Sequence, residues 1–139
     1  MHVATQFSVF LINKPGVLAS VTGALAQAGV NLAALALMDS GEHGALRIVC
    51  NDPEKTRAVL AKTHDRWTET QVLVTELGNR PGSFAAVART LTDAGVNVTY
   101  AYFSAEPRGG TTTTVLKVAD LEKALKVLQD ANLGEPPQK

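Results

Sequence analysis

Asn13-Lys14-Pro15-Gly16 is followed, thirteen positions after its glycine, by Gly29-Val30-Asn31. The same pair of motifs returns as Asn79-Arg80-Pro81-Gly82 and Gly95-Val96-Asn97, each residue displaced by 66. Between them Ala19, Val21, Leu25 and Ala28 recur as Ala85, Val87, Leu91 and Ala94 without a gap. The chain is one unit written twice, with a period long enough for a small domain and too long for a solenoid repeat.

Working outward from the motif, Phe7 to Ile12 is rich in β-formers and stops at a turn-forming Asn, which predicts a strand. Pro15 suits the first turn of a following helix, where its missing N–H would have no partner, and Asn13 or its neighbour is placed to cap it. Leu18, Val21 and Leu25 then form a one-sided apolar stripe that Phe84, Val87 and Leu91 repeat. Gly29 and Gly95 stand where a helix needs a left-handed residue to stop. A second strand over about 31–38 and a third over about 45–50 are joined by the loop Asp39 to Gly44, with Pro107-Arg108-Gly109-Gly110 as its counterpart. Asp52-Pro53-Glu54-Lys55 predicts a capped helix, matched by Asp120-Leu121-Glu122-Lys123 at a displacement of 68. Each unit thus runs β-α-β-β-α and needs a closing strand. Residues 66–71 supply one for the first unit and run directly into 72–77, the opening strand of the second. The end of the second unit, 130–139, is polar and proline-bearing, so its last strand is expected to be missing or short. The edge left bare is expected to be covered, most simply in a dimer.

The 139 residues carry 13 basic and 13 acidic side chains. No long-range field therefore favours nucleic acid or an anionic membrane. One cysteine, Cys50, excludes an internal disulfide, and no secretory leader or apolar run of spanning length is present, so the expected compartment is the cytoplasm. Units of about 70 residues bury little apolar surface alone and are expected to pack together or dimerise.

Strand, Asn-x-Pro-Gly, helix, Ala-Gly-Val-Asn and strand, found twice, resemble the ACT domain, and the match covers nearly the whole chain. The resemblance implies an α+β fold: two ferredoxin-like βαββαβ units in tandem, residues 1–70 and 71–139, with antiparallel sheets and helices on one face. It also implies a non-catalytic regulatory or sensor protein that binds a small amino acid or related carboxylate where ACT units meet, without a cofactor. The alternative from a different class is a detached regulatory subunit that docks on an enzyme or transcription factor without binding an amino acid. The ligand-binding positions are Asn13, Lys14, Pro15, Gly16 and Asn31 in one copy, and Asn79, Arg80, Pro81, Gly82 and Asn97 in the other. In serine-binding ACT modules the resemblance places a His two positions before the first Asn, and here those positions are Leu11 and Leu77. The departure points away from serine toward a generic or more apolar amino acid.

The chemistry of the motif fits such a ligand independently. A Gly after Pro allows close approach to the backbone, and free N–H groups of a first helical turn favour a carboxylate. Asn offers both donor and acceptor, so Asn13 with Asn31, or Asn79 with Asn97, would meet ammonium and carboxylate in one site. Both motifs also read as scaffold, one as helix start and one as helix stop. The copies differ: Ala34 and Ala36 align with Tyr100 and Tyr102, on one face of their strand. Enzyme chemistry finds no support, since His2, His43 and His64 are scattered and Cys50 lies in an expected strand as an inert thiol. No zinc spacing appears around Asp39, Glu42 and His43, and Arg108-Gly109-Gly110 reads as a turn.

Overall fold

A computed structural model describes residues 1–41, 43–63, 66–105 and 110–133 of the chain. Their contacts divide into two compact units: an N-terminal unit of Thr5–Thr70, and a C-terminal unit that joins Met1–Ala4 to the chain from Gln71 onward.

The N-terminal unit contains most of β1 (His2–Ile12), then α1 (Val17–Gln27), β2 (Leu32–Ser40), β3 (His43–Cys50), α2 (Pro53–Thr63) and the start of β4 (Trp67–Gly78). Its strand order is β2-β3-β1-β4. β3 is antiparallel to both β1 and β2, with Leu11 opposite Gly44 and Leu37 opposite Leu46. Phe10 N–H donates to Arg66 O at 3.0 Å, where the closing strand approaches β1. Alternate residues Phe7, Val9 and Leu11 of β1 and Leu46 and Ile48 of β3 form the core with Val21, Leu25 and Leu60 of the helices. Both helices therefore cover one face. Full burial of each such aliphatic side chain contributes about 1.5–3 kcal/mol. Asp52 caps α2, its carboxylate accepting from Lys55 N–H at 3.0 Å, and Pro53 occupies the first helical position. Arg57 grips Glu69 across α2 and β4 through two hydrogen bonds, of 2.9 and 2.6 Å.

The C-terminal unit repeats this plan with β4, α3 (Ser83–Asp93), β5 (Val98–Ala105), β6 (Thr111–Val118) and α4 (Leu121–Asp130). Its strand order is β1-β4-β6-β5. Leu73, Leu77, Leu116 and Val118 meet Val87, Leu91, Ala124 and Leu128 in a second core. Asp120 caps α4 through Lys123 N–H at 3.1 Å. Asn132, at φ 54, ends that helix, with Leu133 N–H donating to Leu128 O at 2.9 Å.

Three expectations are corrected. The edge of the second unit's opening strand is not left for another chain: β1 runs on to His2, its first residues belong to the C-terminal unit, and Met1 packs against that core. The division 1–70 and 71–139 is thus crossed by Met1–Ala4. The β2–β3 strands are longer than expected, Ser40 facing His43, so the connection is only two residues, and Gly41 at φ 80 supplies its positive φ. The expected turn Pro107-Arg108-Gly109-Gly110 lies, apart from Gly110, outside the described residues, as do residues 134–139 of the polar tail.

Deletion of Met1–Ala4 should destabilise the C-terminal unit by roughly 2 kcal/mol, through lost backbone bonds and the lost packing of Met1. Denaturant unfolding, with amide exchange read at Leu73 to Leu77, measures it. The Arg57 guanidinium holds the Glu69 carboxyl below the usual range. Its contribution is therefore complete above the unfolded carboxylate pKa of about 4.3 and fades as pH falls through the lower folded value. Both groups meet solvent, so the effect is small: melting temperatures at pH 7 and pH 3 should differ slightly less for Arg57→Ala than for the parent chain.

Candidate ligand site

The Asn-x-Pro-Gly motif builds a turn before it builds a helix. Val17 N–H donates to Lys14 O at 3.5 Å, with Pro15 and Gly16 between them and Gly16 at φ 89, ψ −18. Ser83 N–H donates to Arg80 O at 3.3 Å around Pro81 and Gly82, with Gly82 at φ 89, ψ −11. These are type II turns: proline presets the second position and only glycine is at ease in the third. Pro15 and Pro81 therefore precede the helices instead of opening them. Asn13 does not cap α1 either; its side-chain amide donates to Gly41 O at 3.4 Å and ties the helix entrance to the β2–β3 turn. The residue at the cap is glycine in both copies, with no side-chain acceptor. The N–H groups of Leu18 and Ala19, like those of Phe84 and Ala85, thus keep the free, partly positive character of a helix start.

The Gly-Val-Asn motif stops the helix. Gly29 N–H donates to Ala26 O and Val30 N–H to Leu25 O, both at 3.0 Å, and Gly95 and Val96 repeat this with Thr92 and Leu91 at 2.9 Å. This is the Schellman arrangement, with Val30 and Leu25 supplying the buried apolar contact. Asn31 then exchanges two bonds with Asn51: its N–H donates to the Asn51 side chain at 2.9 Å, and its O accepts from Asn51 N–H at 3.1 Å. Asn97 O accepts from Ala119 N–H at 3.1 Å. Within one unit Asn31 lies at the far end of an 11-residue helix from Asn13, about 16 Å along its axis at 1.5 Å per residue. The structure does not bring the two together there, and Asn79 and Asn97 are separated in the same way.

Asn13 and Lys14 instead line a cavity of about 220 Å³ in the N-terminal unit, with Leu11, Ile12, Leu18, Leu37, Met38, Asp39 and Gly44. Leu11, 4% exposed, lies in its wall, so the position where serine-binding modules carry His is here an apolar surface. Leu37 is 51% exposed because it lies on the helix-covered face of the edge strand β2, beyond the reach of α1. Leu18, Leu37, Met38 and Asp39 were not among the expected site residues. Leu18 reads as core from its stripe, and only the pairing of β2 with β3 brings residues 37–39 beside the helix entrance. Asp39 anchors the turn through one carboxylate oxygen, which accepts from Gly41 N–H at 3.0 Å.

The corresponding cavity of the C-terminal unit is about 80 Å³, lined by Leu77, Gly78, Asn79, Arg80, Ser83, Phe84, Phe103, Thr112 and Thr114. Phe84 and Phe103 replace Leu18 and Leu37 and stack with ring centroids 5.8 Å apart. The Arg80 guanidinium folds back over Gly78, 3.1 Å from where a Cβ would stand. Thr112 and Thr114 are buried and share a hydroxyl contact of 3.2 Å. Tyr100 and Tyr102 are half-buried on alternate residues of β5 and do not line this cavity. Arg47, on the corresponding face of the N-terminal unit, approaches the Met38 sulfur.

Among the described residues no group of acidic, His and Cys side chains could hold a metal ion. Burial pushes the Cys50 thiol up despite a hydrogen bond from Thr56, which keeps it protonated and unreactive. No helix among the described residues is long and apolar enough to cross a membrane.

A family model described as an ACT domain pair matches residues 1–135, and the chain belongs to the ACT-domain family. Among solved structures, protein BT0572 from Bacteroides thetaiotaomicron is 32% identical, with a TM-score of 0.88 over 95% of this chain and 90% of that one. The ligand-free regulatory subunit of aspartate kinase from Thermus thermophilus shares the fold at 15% identity and a TM-score of 0.67, over 94% and 97% of the two chains. The corresponding subunit from Thermus flavus does so at 18% identity and a TM-score of 0.54, over 95% and 97%. No curated protein matches the sequence.

A Cβ at Gly16 or Gly82 would meet nothing within 4 Å. The cost of Gly16→Ala or Gly82→Ala is therefore conformational only, about 1–2 kcal/mol from the left-handed φ. Equilibrium unfolding of each variant checks this; a loss below experimental error at both sites would contradict the turn assignment.

Proposed function

We propose that this ACT domain pair is a non-catalytic regulatory protein that binds a small amino acid or related carboxylate at the entrance of α1. The observation that carries the reading is the cavity of the N-terminal unit. It places the Lys14 and Asn13 side chains, beside an uncapped helix start, against an apolar wall. Its volume of about 220 Å³ is below that of drug-sized pockets, about 300–1,000 Å³, and equals roughly seven waters at 30 Å³ each. A carboxylate is favoured there by the ammonium of Lys14 and by helix-start N–H groups. The fold of aspartate kinase regulatory subunits is compatible with such a role but assigns no ligand.

The second reading is docking on a partner enzyme or on a second copy of the chain. It rests on Ile12, Leu37 and Met38, which leave 56%, 51% and 47% of their surface exposed around the same cavity. A homodimer that covers this side would serve either reading, and we place the protein in the cytoplasm on its charge balance and single cysteine. Thermal-shift and calorimetric measurements with the twenty amino acids test the leading one. At one hundred times Kd the ligand should stabilise the protein by about 2.7 kcal/mol. Lys14→Ala should weaken binding about tenfold, the loss of one charge-assisted contact. No shift with any amino acid at millimolar concentration overturns it and favours docking.

A further inference from the structure

The two cavities occupy the same place in the duplicated unit but are chemically different, and this difference goes beyond the binding reading on which it rests. We propose that only the N-terminal unit takes ligand, that the ligand is an α-amino acid with an aliphatic side chain, and that Asp39 receives its ammonium group.

Three kinds of group surround the N-terminal cavity: a cation on Lys14, a carboxylate on Asp39, and the apolar side chains of Leu11, Leu18 and Leu37. Cation and anion together fit the two charges of an amino acid, where a simple carboxylate would leave Asp39 unmatched. One Asp39 oxygen already accepts from Gly41 N–H at 3.0 Å. That bond fixes the side chain at the hairpin end and leaves the second oxygen for a donor. A charged or strongly polar ligand side chain entering the Leu-lined part would lose its water without a hydrogen-bonding partner. An aliphatic one gains by burial.

In the C-terminal unit the cation persists as Arg80, but the carboxylate and most of the apolar space are lost. Phe84 and Phe103 fill the space above the strand, Arg80 folds over Gly78, and about 80 Å³ remains, the volume of roughly three waters. At the displacement of 66 that relates the copies, the position of Asp39 is held by Ala105, so the acid is absent there. The buried hydroxyls of Thr112 and Thr114 also replace Gly44 and Leu46, at the displacement of 68.

Isothermal titration of the full chain with leucine, isoleucine, valine and methionine should give one equivalent per chain for the best of them. Alanine should bind at least tenfold more weakly, the discrimination an apolar pocket provides for missing methylenes, and so should aspartate and lysine, whose charged side chains would lose their water. Leu18→Phe/Leu37→Phe, which installs the aromatic pair of the other unit, should reduce leucine binding more than tenfold with an unchanged circular dichroism spectrum. Asp39→Asn keeps an acceptor for Gly41 N–H; it should weaken leucine but leave 4-methylpentanoate, which lacks the amine, unaffected. Tightest binding of a polar amino acid, two equivalents per chain, or undiminished binding by the Phe variant would overturn the proposal while the broader amino-acid reading stands. Equal effects of Asp39→Asn on both ligands would overturn the role of Asp39. Absence of binding by every amino acid overturns both.

Discussion

A strand must find hydrogen-bonding partners along its edges, and this chain meets that requirement by making two strands serve two units each. β4 runs from Trp67 to Gly78 without a break, closing the N-terminal unit up to Thr70 and opening the C-terminal unit from Gln71. β1 does the converse: His2 to Ala4 stand beside the opening strand of the C-terminal unit, and Thr5 to Ile12 form a central strand of the N-terminal one. The first residues of the chain fill the place of a closing strand in the C-terminal unit. Unpaired strand edges invite association, and this pairing covers the edge of β4.

Inside each unit the duplicated motifs have become turn chemistry. Proline and glycine set the type II turn that aims the helix, and Gly-Val sets the Schellman stop that turns the chain into the next strand. Both devices are backbone solutions, independent of the residues around the cavity. That independence is the physical reason the two entrances kept the same geometry while their cavities diverged. With Phe84 and Phe103 in place of Leu18 and Leu37, and Arg80 folded over Gly78, the volume is about 80 Å³ instead of about 220 Å³, while the Pro-Gly turn and the Gly-Val stop are the same.

Much of the architecture was legible because it rests on local signals. Asp52 and Asp120 announce helix starts, and Gly29 and Gly95 announce helix stops, and each does so in the structure. The misreadings have one origin. Asn before Pro at a helix start marks Asn13 or its neighbour as a cap, yet three residues intervene and the Asn13 amide reaches Gly41, 28 positions away. The helical period of Leu18 marks it as core, yet it is 37% exposed and lines the cavity. Within one unit the 11 residues of α1 lie between Asn13 and Asn31.

The sequence alone therefore determined the duplication, the order of elements, the starts of α2 and α4 and the stops of α1 and α3, since periodicity, capping residues and positive-φ glycines act over a few residues. The tertiary structure decided which residues surround the cavity, because Leu37, Met38 and Asp39 reach the helix entrance only through pairing of β2 with β3. It also decided that the two entrances are unequal, and that Met1–Ala4 belong to the C-terminal unit. Strand pairing acts between residues distant in sequence, and no local pattern records which partner a bare edge will take.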